Sequence, residues 1–267
     1  MSFSIEGKTA IVTGAANGVG LAIGRHFVEQ GANVVFADMD EAALSHEIGD
    51  LVSDDGPVRM FAGDLRKKLT IANLLSTTID AFERIDILVN GARQVERSDP
   101  LDADGSMVMD LIEQNMLASL KLSQAVAKKM IKQSEGVEDG QSGSIINLSS
   151  IAARRAQAEL MAYSISTAAA DQMTRSLAVA LAPYRIRVNS IAFGSVMSAS
   201  LKTALKENGD FREKILNHTP LNRIAGPSEI SDAAQYLASE ASAFVTGQVI
   251  TVDGGRTLLD PVTCAAH

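Results

Sequence analysis

The chain has 267 residues, 46% hydrophobic and 21% charged, an ordinary globular composition with enough length to bury a large core. Its formal net charge of −8 gives no whole-chain support to a nucleic-acid or anionic-membrane surface. The lone cysteine, Cys264, excludes an intrachain disulfide and a thiolate metal cluster. The histidines His26, His46, His218 and His267 are too scattered for a metal site. The start lacks the basic and apolar segments of a secretory signal, and no apolar run approaches the roughly 20 residues that span a bilayer. A soluble, cytoplasmic protein is expected.

Residues 8–13 read as the first strand, short and largely apolar. Thr13-Gly14-Ala15-Ala16-Asn17-Gly18-Val19-Gly20 follows it and opens a helix over 19–30. Glycines at 14, 18 and 20 allow a tight turn and close approach of backbone to a pyrophosphate, and the helix start offers N–H groups and a positive dipole end. The second strand, 33–38, ends on Asp38, 24 residues beyond Gly14. A carboxylate there accepts hydrogen bonds from the adenosine ribose hydroxyls and repels a 2′-phosphate, which favours NAD over NADP. The alternative for Asp38 is a cap on the next helix. After the third strand, 58–62, Asp64 either receives the adenine amino group or caps a helix from Leu65.

The fourth strand is 85–90, and a polar loop spans 95–105. One long helix is expected over 106–133, where Met107, Leu111, Asn115, Ala118 and Leu122 recur at helical spacing. A second polar loop, 134–143, leads to strand 144–149, then an Ala-rich helix over 163–182 ending before Pro183. Strand 185–192 follows. The stretch 193–227 holds only short helical pieces and reads as an insertion over the sheet's carboxyl edge, either a substrate lid or a packed excursion. A last helix precedes strand 248–252. Seven strands alternating with helices argue for one α/β domain over 1–267, a parallel doubly wound sheet with helices on both faces.

With these pieces in order, the sequence resembles the short-chain dehydrogenase/reductase family along nearly its whole length. The resemblance rests on the glycine loop, Asp38, Asp64, the Val-Asn-Gly-Ala stretch at 89–92, Asn115, Ile-Asn-Leu-Ser-Ser at 146–150, Tyr163, Val-Asn-Ser-Ile-Ala-Phe-Gly at 188–194 and Val-Asp-Gly-Gly at 252–255. It implies a single-domain Rossmann fold that moves hydride between NAD(P) and a small-molecule alcohol or carbonyl, with no metal. It also implies a homodimer or homotetramer that pairs the helices at 106–133 and 163–182. Both carry apolar or small residues on more than one face, among them Ala168, Ala169, Ala170 and Ala178.

By the resemblance, Tyr163 exchanges a proton with the substrate oxygen. Ser150, thirteen positions earlier, hydrogen-bonds that oxygen, and Asn115 holds a helix and a water in a proton relay. NAD+ or NADH is held by Gly14, Asn17, Gly18, Val19, Gly20, Asp38, Asp64, Leu65, Asn90, Gly91, Ala92, Tyr163, Thr167, Gly194 and Val196. The chain departs from the family pattern on the nicotinamide side. Thr167 stands where the motif has a lysine, which lowers the tyrosine pKa and grips the nicotinamide ribose. Asn-Asn-Ala-Gly reads Asn90-Gly91-Ala92-Arg93, Pro-Gly reads Phe193-Gly194, and Ser198 replaces a carboxamide-binding threonine.

Arg93, Arg154 and Arg155 follow the fourth and fifth strands. They supply the missing charge, bind an anionic group of the substrate, or face solvent. Two functions stay open: an NAD-dependent oxidoreductase of slowed or unusual activity, or a catalytically silent dinucleotide binder acting as sensor or partner subunit. Thr167→Lys should raise activity unless Arg93 already supplies the charge.

Overall fold

The computed structural model describes residues 2–103 and 105–260. Cys264 and His267 lie outside the described residues. Seven parallel strands form one sheet in the order β3-β2-β1-β4-β5-β6-β7. They are β1 Thr9–Thr13, β2 Asn33–Asp38, β3 Val58–Ala62, β4 Ile87–Asn90, β5 Gly143–Ser150, β6 Ile186–Phe193 and β7 Val249–Val252. β1, β6 and β7 begin one residue later than expected and β4 two. Ile85 and Asp86 precede β4, and the Asp86 carboxylate is taken up locally, accepting from Thr9 N at 2.9 Å and from Arg84.

Strands buried on both faces divide their side chains between two cores. Ala10, Val12, Val34, Phe36 and Val89 meet α1 (Gly18–Glu29), α2 (Glu41–Ile48) and α9 (Pro227–Ala238) through Phe27, Leu44 and Leu237. Ile11, Val35, Leu88, Ile145 and Val188 meet α3 (Lys68–Phe82), α5 (Ala118–Gln133) and α6 (Met161–Leu181) through Leu74, Val126, Met130 and Ala178. This is the two-sided alternation that a covered parallel sheet requires.

The helix expected over 106–133 runs unbroken from 107 to 133 but is not α-helical throughout. It comprises α4 (Met107–Ile112), a π-helical turn at Glu113–Leu117, and α5. The wider turn carries Asn115, a feature that apolar periodicity does not report. The stretch 193–227 carries two short helices, α7 (Ala199–Glu207) and α8 (Phe211–Asn217). No helix among the described residues is long and apolar enough to cross a membrane.

Candidate active site

Because all strands run the same way, the carboxyl ends of β1 to β6 share one edge, and the order of the sheet reverses between β1 and β4. Two backbones meet at that switch point. A Cβ on Gly14, whose φ is +65°, would lie 2.5 Å from the Gly91 carbonyl oxygen, and one on Gly20 would lie 2.1 Å from the Gly14 carbonyl oxygen. The glycine loop is therefore as close to its neighbours as backbone permits. Thr13 Oγ1 accepts from the N–H groups of Gly91 at 3.0 Å and Ala92 at 3.2 Å, fixing the start of the β4 loop.

A cavity of about 780 Å³ opens over this edge. Of the residues expected to hold cofactor, Gly14, Asn17, Gly18, Val19, Gly20, Asp38, Asp64, Leu65, Gly91, Ala92, Tyr163, Gly194 and Val196 line it. The α1 N-terminus fits an anion: Asn17 makes no side-chain cap, and the first turn carries no acidic residue. Asp38 accepts from Ala16 N at 3.0 Å, bracing the loop, while the cap on α2 is Asp40, which accepts from Ala43 N at 2.9 Å. Asp64 does not cap a helix from Leu65, since α3 begins at Lys68. Instead it pairs with Arg66 at 2.9 Å, and that hydrogen bond holds its carboxyl below the usual range.

Asn90 and Thr167 are not on the cavity wall. Asn90 Nδ2 donates to Ser123 Oγ at 2.9 Å and Asn147 Oδ1 at 2.8 Å, behind the site. Thr167 is 3% exposed and its hydroxyl donates back into its own helix, 2.9 Å from Tyr163 O and 3.1 Å from Ser164 O. Asn115 also lies off the wall. Its amide clamps the backbone of Gln94, accepting from the N–H at 2.8 Å and donating to the carbonyl at 2.9 Å, and it donates to Ser166 Oγ at 3.1 Å.

The far end of the cavity holds Ser150, Tyr163, Arg93 and Phe193. Ser150 Oγ accepts from Ala152 N at 3.1 Å. Tyr163 is 3% exposed, and its hydroxyl accepts from Arg93 Nη1 at 3.1 Å. The same Nη1 donates to Ser149 O at 2.9 Å, and the guanidinium carbon lies 4.3 Å from the Phe193 ring centre. A phenol and a serine hydroxyl facing one space form a set that can exchange a proton with a bound oxygen and stabilise its charge.

A family model described as enoyl-(acyl carrier protein) reductase matches residues 14–257. The 7α-hydroxysteroid dehydrogenase of Escherichia coli strain K12 is 33% identical over 251 residues, covering 94% of each chain. The chain belongs to the short-chain dehydrogenase/reductase family. A solved structure of 7α-hydroxysteroid dehydrogenase complexed with NADH and 7-oxo glycochenodeoxycholic acid is similar to this fold, with TM-score 0.84, 32% identity and 95% coverage of each chain. A gluconate 5-dehydrogenase from Burkholderia cenocepacia in complex with NADP and tartrate gives TM-score 0.86 at 29% identity, covering 97% of this chain and 98% of its own.

At the rim of this dehydrogenase/reductase site, Arg154 and Arg155 are exposed, one of the three arrangements left open for them. Arg154 turns away from the cavity and donates to Thr251 Oγ1 at 2.9 Å. Arg155 lines the cavity but bonds the Thr257 carbonyl. Ser198 lines it and caps α7, accepting from Leu201 N at 3.2 Å. Sequence reasoning missed Arg256, which joins the wall from the end of the chain and donates to Ser195 Oγ at 2.8 Å. No local pattern around Arg256 signals that role.

Proposed function

We propose that the protein is an NAD-dependent oxidoreductase that moves hydride between nicotinamide and a small-molecule alcohol or carbonyl. The observation that carries this reading is the single cavity that joins the glycine loop and Asp38 at one end to Ser150 and Tyr163 at the other. A nicotinamide cofactor held by the glycine loop and Asp38 would supply the hydride acceptor for alcohol oxidation, or the hydride donor for carbonyl reduction. Tyr163 takes the proton of the alcohol oxygen, or gives one to the carbonyl oxygen. Ser150 hydrogen-bonds that oxygen and stabilises its negative charge. Asn115 acts through Gln94 as a positioning residue. Thr167 occupies the place of the motif lysine and contributes no charge. α7 and α8 serve as a lid over the substrate end, and the working form is a homodimer or homotetramer.

Preference for NAD(H) over NADP(H) follows from Asp38, whose carboxylate would meet a 2′-phosphate as a like charge. Arg66, two residues beyond Asp64, is paired with that carboxylate. Titration of fluorescence should give NADH at least about tenfold tighter than NADPH, a difference near 1.4 kcal/mol. Asp38→Ala should weaken both, because the loop loses its brace to Ala16, and should narrow the ratio. Equal affinities for the parent protein, or a ratio untouched by the substitution, would contradict the cofactor assignment.

A further inference from the structure

We infer that Arg93 is a catalytic residue, its guanidinium supplying the positive charge that the Tyr163 oxygen needs when it gives up its proton; the inference rests on the oxidoreductase reading above. A phenolate at a position only 3% exposed cannot rely on water for its stabilisation and needs a counter-charge within the protein. Thr167, one helical turn along α6, is neutral, and its hydroxyl is spent on backbone carbonyls. Among the described residues, Arg93 is the cation hydrogen-bonded to the Tyr163 hydroxyl. A donor already aimed at that oxygen strengthens as negative charge develops on it, with no reorganisation needed.

Arg93 is held for this duty from several sides. Phe193, at the end of β6, lies under the guanidinium plane, and Ser149 O on β5 takes one of its hydrogen bonds. The backbone on either side is tied down. Thr13 fixes Gly91 and Ala92, and the Asn115 amide fixes Gln94. The departures at Arg93, Thr167 and Phe193 thus converge on one hydroxyl: a cation is absent from the helix, one arrives from the β4 loop, and an aromatic ring seats it. The guanidinium therefore acts through its charge and its hydrogen bond, while the proton is exchanged by Tyr163.

The test compares Arg93→Met, Arg93→Lys and the double variant Arg93→Met with Thr167→Lys, each checked for folding and NADH affinity, on a substrate the parent turns over. We expect Arg93→Met to bind NADH like the parent while kcat falls by about 10²-fold or more, the usual weight of an acid–base element. A lysine in place of Arg93, or Thr167→Lys added to Arg93→Met, should recover much of the loss. A purely structural role for Arg93 predicts no rescue by a charge placed on another element. Should Arg93→Met fail to fold, Arg93→Gln, polar but uncharged, takes its place. A kcat close to the parent's in the uncharged variant, or a loss that neither lysine repairs, overturns the Arg93 assignment alone. Parent protein that binds NADH and turns over no member of an alcohol and carbonyl panel overturns the oxidoreductase reading, and with it the Arg93 role.

Discussion

At the scale of single residues, charge at the Tyr163 oxygen decides how the site works. A lysine introduced in place of Thr167 in the otherwise unchanged protein should add little to kcat, because Arg93 already stands 3.1 Å from the hydroxyl. Thr167, four residues after Tyr163, and Arg93, after the fourth strand, were both singled out in the sequence. Their connection was not, since it depends on residues 93, 149, 163 and 193 meeting in space. The places of Asp38 and the three loop glycines on the cavity wall were legible because each follows from local backbone geometry or from position at a strand end. Thr167 and Asn90 were assigned to the cavity by motif position, yet neither lines it: Asn90 bonds Ser123 and Asn147, and the short Thr167 hydroxyl turns back onto its own helix. Asn115 was singled out in the sequence, whereas its grip on the Gln94 backbone from the π turn leaves no trace in residue spacing.

At the scale of elements, buried polar groups stitch the helices to the sheet behind the site. Arg187 on β6 donates to Leu237 O at 2.7 Å and Ser239 O at 3.2 Å, satisfying carbonyls at the end of α9. Burial pushes its pKa down to about 10, so it stays charged at neutral pH. Asp171 on α6, 4% exposed, faces β6, where Ser190 Oγ lies 3.5 Å from its carboxylate. Burial raises its pKa, against the lowering effects of Ser149, Arg154, Arg175 and Ser190. A carboxyl raised in the folded state contributes stability that is full below its unfolded value, near 3.8, and is lost as pH rises through the folded value. Asp171→Asn should therefore melt like the parent near pH 4 and at a higher temperature near neutrality. A gain confined to acid pH would reverse the sign of this argument. The seven strands were legible as buried apolar runs, with boundaries off by a residue or two where strand ends make local contacts.

At the scale of the molecule, α6 exposes Ile165 and Val179, the latter at 78%, although Ala170 and Ala178 of the same helix are in the core. Fewer small residues than expected are therefore free to face a partner, while Ile165, Ala168 and Val179 stay exposed among Gln172, Arg175 and Ser176. A homodimer or homotetramer should appear by light scattering at micromolar concentration, and a monomer there would refute the assembly. Under the proposed function, proton exchange at Tyr163 beside a bound dinucleotide is the central step. Its most direct test follows nicotinamide absorbance while parent protein and Tyr163→Phe meet the same panel of alcohols with NAD+ and carbonyl compounds with NADH. The prediction is turnover by the parent on at least one compound, lost by about 10²-fold or more in Tyr163→Phe while NADH binding persists. Parent-like turnover in Tyr163→Phe would contradict it.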